Sequence, residues 1–221
     1  MRFEELNIGK IEAVRGKIDT ILMTFGGLTW RPAHLPIGTT WYILRKLRDE
    51  VETAFGERIL TLPVQSIDTT FDDSAIAKLP QESYGSFVTH YVQELMRHFE
   101  VRQIILLTDS LYKEQLILQT LSQETVQKLR ILPFVWWRDG LRLDGETNVA
   151  AQNTFMQTHE FHPSGVLETA LMMALADHLV VRDKASLLRY RAQDASTHEG
   201  SLLWNQLVRQ LLQQAHHFLS E

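Results

Sequence analysis

The stretch Gln103-Ile-Ile-Leu-Leu-Thr108 decides how the rest of the chain reads. Its apolar residues are consecutive, without the alternation of a strand that has one face in water. That pattern predicts a strand covered on both faces, as in a parallel sheet. Thr20-Ile-Leu-Met-Thr-Phe25, ended by Gly26-Gly27, is of the same kind. Residues 58–64 and 130–137 read as further strands. Between these runs lie helical patterns. One starts at Thr39 or Thr40, either of which could cap it, and runs through residue 50 or beyond, with Ile43, Leu44, Leu47, Val51 and Phe55 on one face. Another spans 83–100 through Phe87, Tyr91, Leu95 and Phe99, and a third spans 114–129. A short helix over 7–17 precedes the first strand. Helices over 165–179 and 201–219 follow the last.

This order of strand, loop and helix predicts an α/β fold: a mostly parallel sheet with helices on both faces, in a single domain over residues 1–221. In such sheets ligands bind at the carboxyl ends of the strands. The segments expected to hold a site are therefore 26–40, 65–80, 108–113 and 138–167.

Composition removes several function classes. With 44% hydrophobic and 22% charged residues in 221, the chain can bury a core. A formal net charge of −5 with scattered Lys and Arg argues against a nucleic-acid partner. The absence of cysteine excludes thiolate metal sites, disulfides and a thiol nucleophile. No run approaches the roughly 20 apolar residues of a membrane span. The first residues lack the apolar core of an export signal. A cytoplasmic protein without a membrane partner is expected.

The segments named above carry motifs in a fixed order. The first reads Gly26-Gly-Leu-Thr-Trp-Arg-Pro-Ala-His-Leu-Pro-Ile-Gly-Thr-Thr40, and the next Thr108-Asp-Ser-Leu-Tyr-Lys113. Trp136-Trp137, Pro163-Ser-Gly-Val-Leu-Glu-Thr-Ala170 and Thr197-His-Glu-Gly200 follow. Together they resemble the creatininase (creatinine amidohydrolase) family, with Gly26, His34-Leu35-Pro36, Thr39, Gly165, Glu168 and Thr169 in frame. The resemblance implies a creatininase-like three-layer sandwich, metal-dependent amide hydrolysis with zinc or manganese, and a homo-oligomer, often a hexamer. It places the family's metal ligands on Thr29, Arg31, Thr40 and Ser110, and its catalytic histidine on Pro163, one residue after His162. Tyr112 stands where some members carry Glu. With the ligands so replaced, no metal cofactor is expected.

Candidate catalytic residues are His34, Glu168 and His162; candidate ligand-binding residues are Arg31, Thr40, Ser110, Tyr112, Lys113 and Trp137. Each has two readings. Arg31 and Lys113 could together receive a small carboxylate or phosphate, or Arg31 could pair with Glu168 or Asp109 and fill a vacated cavity. His34 could serve as a general base or brace the loop before Pro36. Glu168 could be a ligand or acid/base, or simply an acid favoured at a helix start. Asp68, Asp72 and Asp73 form a carboxylate cluster or a solvated loop. Trp136 and Trp137 floor a pocket or pack a subunit interface. Ser110 as a nucleophile lacks an adjacent base. A rebuilt metal site would have to draw on His34, Asp109, His162 and Glu168. Two functions follow: a non-catalytic or small-anion-binding family member, or an amidohydrolase acting on a cyclic amide or other C–N bond with a rebuilt site.

Overall fold

The computed structural model describes residues 1–69, 75–124, 129–141, 163–185 and 191–221. The strands are β1 (Thr20–Phe25), β2 (Ile59–Thr61), β3 (Asp68–Thr69), β4 (Lys78–Leu79), β5 (Gln103–Thr108) and β6 (Arg130–Val135). The helices are α1 (Ile8–Val14), α2 (Thr39–Phe55), α3 (Gln81–Phe99), α4 (Leu111–Glu124), α5 (Trp136–Asp139), α6 (Val166–Ala176), α7 (Arg182–Ala185) and α8 (Thr197–Ser220).

β2, β1, β5 and β6 form a parallel sheet in that order, with β1 and β5 paired along their full length from Thr20↔Gln103 to Phe25↔Thr108. Because β1 and β5 are covered on both sides, successive side chains supply two separate cores. Ile21, Met23 and Phe25 of β1, with Ile104 and Leu106 of β5, pack with Tyr84, Val88 and Val92 of α3 and Ile117 of α4. Leu22, Ile105 and Leu107 point the other way, toward Ile43, Leu44 and Leu47 of α2, Leu171 of α6 and Leu207 of α8. Each such aliphatic side chain, fully removed from water, contributes about 1.5–3 kcal/mol. The continuous apolar runs seen in the sequence follow from this two-sided burial.

Several boundaries differ from expectation for local reasons. β2 ends at Thr61 and does not reach 64: Leu62 N still donates to Leu22 O, but the next bond to β1 comes from Gln65 N to Thr24 O, one residue out of register. β6 tolerates Pro133 because it is an edge strand. It stops at Val135, where the Asp139 carboxylate accepts from the Val135 N–H at 2.7 Å and Trp136 turns into α5. Segment 65–80 is not wholly loop, since β3 and β4 pair in parallel within it. Neither Thr39 nor Thr40 caps α2: Gly38 holds that position and both threonines lie inside the helix. The final helix begins at residue 197, earlier than the apolar pattern suggests, with the Ser196 hydroxyl accepting from Glu199 N. That brings Gly200 into the first turn of α8, where a Cβ would run into the Ala170 carbonyl of α6. Gly200 thus lets the two helices approach closely. Among the described residues no helix is long and apolar enough to cross a membrane.

Candidate functional site

In the order β2-β1-β5-β6 the chain winds outward in opposite directions from β1 and β5. The crevice beyond their carboxyl ends is where such sheets bind ligands. Two buried polar clusters occupy it.

The first is built around Lys113. Ser110 opens α4 by accepting from Lys113 N at 3.1 Å, which fixes the first turn. Lys113 Nζ then donates to Asp109 Oδ1 at 2.7 Å and to Asp68 Oδ2 at 2.8 Å. The lysine is only 2% exposed. The other Asp109 oxygen accepts from Gly27 N at 2.8 Å, and the Asp109 carbonyl accepts from Trp137 Nε1 at 3.1 Å. One lysine and one aspartate thereby tie together the segments after β1, β2, β5 and β6. A Cβ on Gly27 would collide with the Asp68 carboxylate, so glycine is required there. Burial works against the Lys113 charge, but Asp109 and Asp68 outweigh it and hold its pKa above the ordinary lysine value. Burial raises the Asp68 pKa, with Lys113 opposing.

The second cluster joins the loop after β1 to the start of α6. Arg31 Nη2 lies 3.3 Å from Glu168 Oε1, with the two side chains 8% and 1% exposed. Arg31 Nη1 donates to Ser164 Oγ at 3.4 Å, while Ser164 N donates to Glu168 Oε2 at 2.6 Å. Ser164 adopts φ 63°, a left-handed conformation that costs a non-glycine residue energy and that these bonds hold in place. Burial pushes the Glu168 carboxyl upward, with Arg31 pulling the other way. His34 is fully buried. The Thr169 hydroxyl is spent as a donor on the Gly165 carbonyl at 2.8 Å. His34 Nε2 lies 3.0 Å from that hydroxyl oxygen. Nδ1 makes no hydrogen bond of good geometry among the described residues. Burial, then Arg31, lowers the His34 pKa, against an opposing contribution from the Ser164 backbone.

The structure therefore brings together Arg31, His34 and Glu168 in one cluster, and Ser110, Lys113 and Trp137 in the other. Thr40 is buried beside the second group, its hydroxyl donating to the Gly27 carbonyl at 3.1 Å. Tyr112 is half-buried on the first turn of α4. His162, Asp72 and Asp73 lie outside the described residues. Two expectations change. Asp68 is not part of a solvated loop: it is buried and pairs with Lys113. Nor does Lys113 offer a free cation with Arg31, because both already face carboxylates. The Asp68–Lys113 contact was missed by sequence reasoning. The available signals were the i,i+4 spacing of Asp109 and Lys113 and the apolar Ile67 beside Asp68.

A parallel sheet with polar clusters at its β1/β5 switch point defines an open α/β protein with a crevice at the carboxyl ends of its strands. The creatininase profile, creatinine amidohydrolase, matches residues 4–214, and the chain belongs to that family. Its fold is similar to a crystal structure of creatinine amidohydrolase (creatininase), with a TM-score of 0.77 at 17% identity over 98% of this chain and 97% of that one. A manganese creatininase gives 0.74 at 17% identity over 95% of each chain. A protein from Bacteroides fragilis NCTC 9343, assigned as a creatinine amidohydrolase, gives 0.68 at 15% over 99% of this chain and 94% of that one. No curated protein matches in sequence.

Proposed function

We propose that this chain is a creatininase-family protein that does not perform metal-dependent amide hydrolysis, its charge balance at the site being supplied from within. The carrying observation is the buried contact of Arg31 with Glu168 at 3.3 Å. The positions to which the resemblance assigns ligands hold Thr29, Arg31, Thr40 and Ser110. Zinc and similar ions take imidazole, carboxylate or thiolate donors, and a guanidinium is a donor only, permanently charged. These residues do not fit the family's metals. Among the described residues no three His, Asp or Glu side chains are grouped as a metal site would require.

Charge also weighs against a small anion as ligand. Asp68, Asp109 and Glu168 outnumber Arg31 and Lys113 in the crevice. A further negative group would enter a region already short of positive charge. The apolar rim favours protein contact. Trp30 is 69% exposed, Ile37 45% and Ile76 40%. The bonds Thr29 N to Ile37 O and Ile76 N to Leu28 O hold these three close together. Such a patch supports a homo-oligomeric assembly. The test is turnover of creatinine and other cyclic amides with zinc, with manganese and with a chelator. No chelator-sensitive hydrolysis is expected; metal-dependent turnover would overturn the reading.

One observation favours a second reading, a hydrolase with a rebuilt site on a cyclic amide or other C–N bond. His34 is a buried imidazole that Arg31 reaches electrostatically and whose pKa is lowered, by burial first, so that it stands neutral as a general base does. Full activity retained in a His34→Ala, Glu168→Gln protein would remove it.

A further inference from the structure

We propose that Asp68 and Asp109 form a cation site of this protein whose permanent occupant is the Lys113 ammonium, and that the site accepts a free cation once that side chain is removed. The carboxylates come from two separate segments, after β2 and after β5, and converge on one nitrogen at 2.8 and 2.7 Å. Their side chains are only 5% and 7% exposed. Two carboxylates around one ammonium leave an excess negative charge away from water, where an unpaired charge is costly. Gly27 lines the same space: its N–H holds Asp109, and it has no Cβ because Asp68 is there.

A second, independent observation points into this cluster. Tyr84 is fully buried on α3, and its hydroxyl has no hydrogen-bond partner among the described residues. Asp68 and Asp109 both act on it electrostatically. A buried, unspent hydroxyl within the electrostatic reach of two carboxylates adds a further oxygen to the surroundings of the Lys113 ammonium. Two positions where the family resemblance puts metal ligands adjoin the cluster and are already engaged: Ser110 caps α4, and the Thr40 hydroxyl donates to the Gly27 carbonyl. Lys113 thus cross-links segments of a crevice as a bound ion would, without an association equilibrium.

The inference is independent of the non-catalytic reading, because its readout is stability and cation uptake and not turnover. The measurement is the thermal midpoint of the full chain and of Lys113→Ala, each with and without methylammonium chloride and manganese chloride. Losing one partner of a buried pair in a chain of this size lowers the midpoint by roughly 6–20 °C. Methylammonium or manganese is expected to restore a substantial part of that in Lys113→Ala and to leave the parent unmoved. A Lys113→Ala protein as stable as the parent, or equal shifts in both, would overturn the proposal. Should Lys113→Ala not be recovered folded, Lys113→Met and its Asp68→Asn, Asp109→Asn derivative decide. The triple variant is expected to melt above Lys113→Met, and an equal or lower midpoint would count against the site.

Discussion

Arg31 and Glu168 meet Nη2 to Oε1 at 3.3 Å and bind the loop after β1 to the first turn of α6. Both are withdrawn from water, so each is tolerable only because the other is present. Ser164 completes the arrangement by donating its N–H to the second Glu168 oxygen. The pair occupies the crevice at the carboxyl ends of the central strands, and it decides what else can sit there.

Breaking this pair from one side leaves a buried charge without a partner. Arg31→Met should destabilise the protein by about 3–5 kcal/mol, because it leaves Glu168 buried without its partner, and Glu168→Gln should cost less, because burial already favours the neutral carboxyl. The double substitution should cost clearly less than the sum, since it removes both charges. Urea unfolding of the four proteins gives the coupling directly. Additive effects would show that the contact does not form in solution.

Glu168 also sets a pH dependence. Burial raises its folded pKa above the unfolded value. Its contribution to stability is therefore fully present below the unfolded pKa, about 4.3, and is lost as pH rises through the folded one. Unfolding free energy followed from pH 4 upward should show this loss in the parent and not in Glu168→Gln. Identical slopes would contradict the buried placement.

His34 carries the opposite sign. Its folded pKa is lowered, by burial first. The stability it contributes is present above about pH 6.5 and is lost as pH falls through the folded pKa. Nitrogen-detected NMR should find the ring uncharged at neutral pH. His34→Gln should flatten the acid limb. A His34 that titrates in the ordinary range would mean that its pocket is wet.

The fold was legible because its signals are local. Runs such as Gln103–Thr108 and Thr20–Phe25 can only be buried strands, and both lie where the sequence puts them. The helices were found by their apolar faces, but their starts were not. Gly38 replaces the expected threonine cap of α2, and α8 begins with a polar turn that an apolar pattern does not register. Of the site, the pairing of Arg31 with Glu168 was one of two readings left open, because only the fold brings residues 137 apart into contact. The Asp68–Lys113 bond was not foreseen. Asp68, one of three nearby aspartates in the sequence, looks solvated until Lys113 of α4 is placed against it.

Two glycines offer a steric check on the same geometry. Gly27→Ala would push a methyl group into the Asp68 carboxylate, and Gly200→Ala would drive one into the Ala170 backbone. Each should lower stability by about 1–3 kcal/mol or more. The second should do so without affecting the crevice. Thermal melts of both, with near-ultraviolet circular dichroism as a measure of packing, give the comparison.

The most direct test is the metal content of the purified chain after incubation with zinc and with manganese, measured by mass spectrometry. If internal ion pairs have taken over the site, less than about a tenth of an ion per chain should remain bound after gel filtration. One or two tightly held ions per chain would contradict the account and return metal-assisted amide hydrolysis to the leading place.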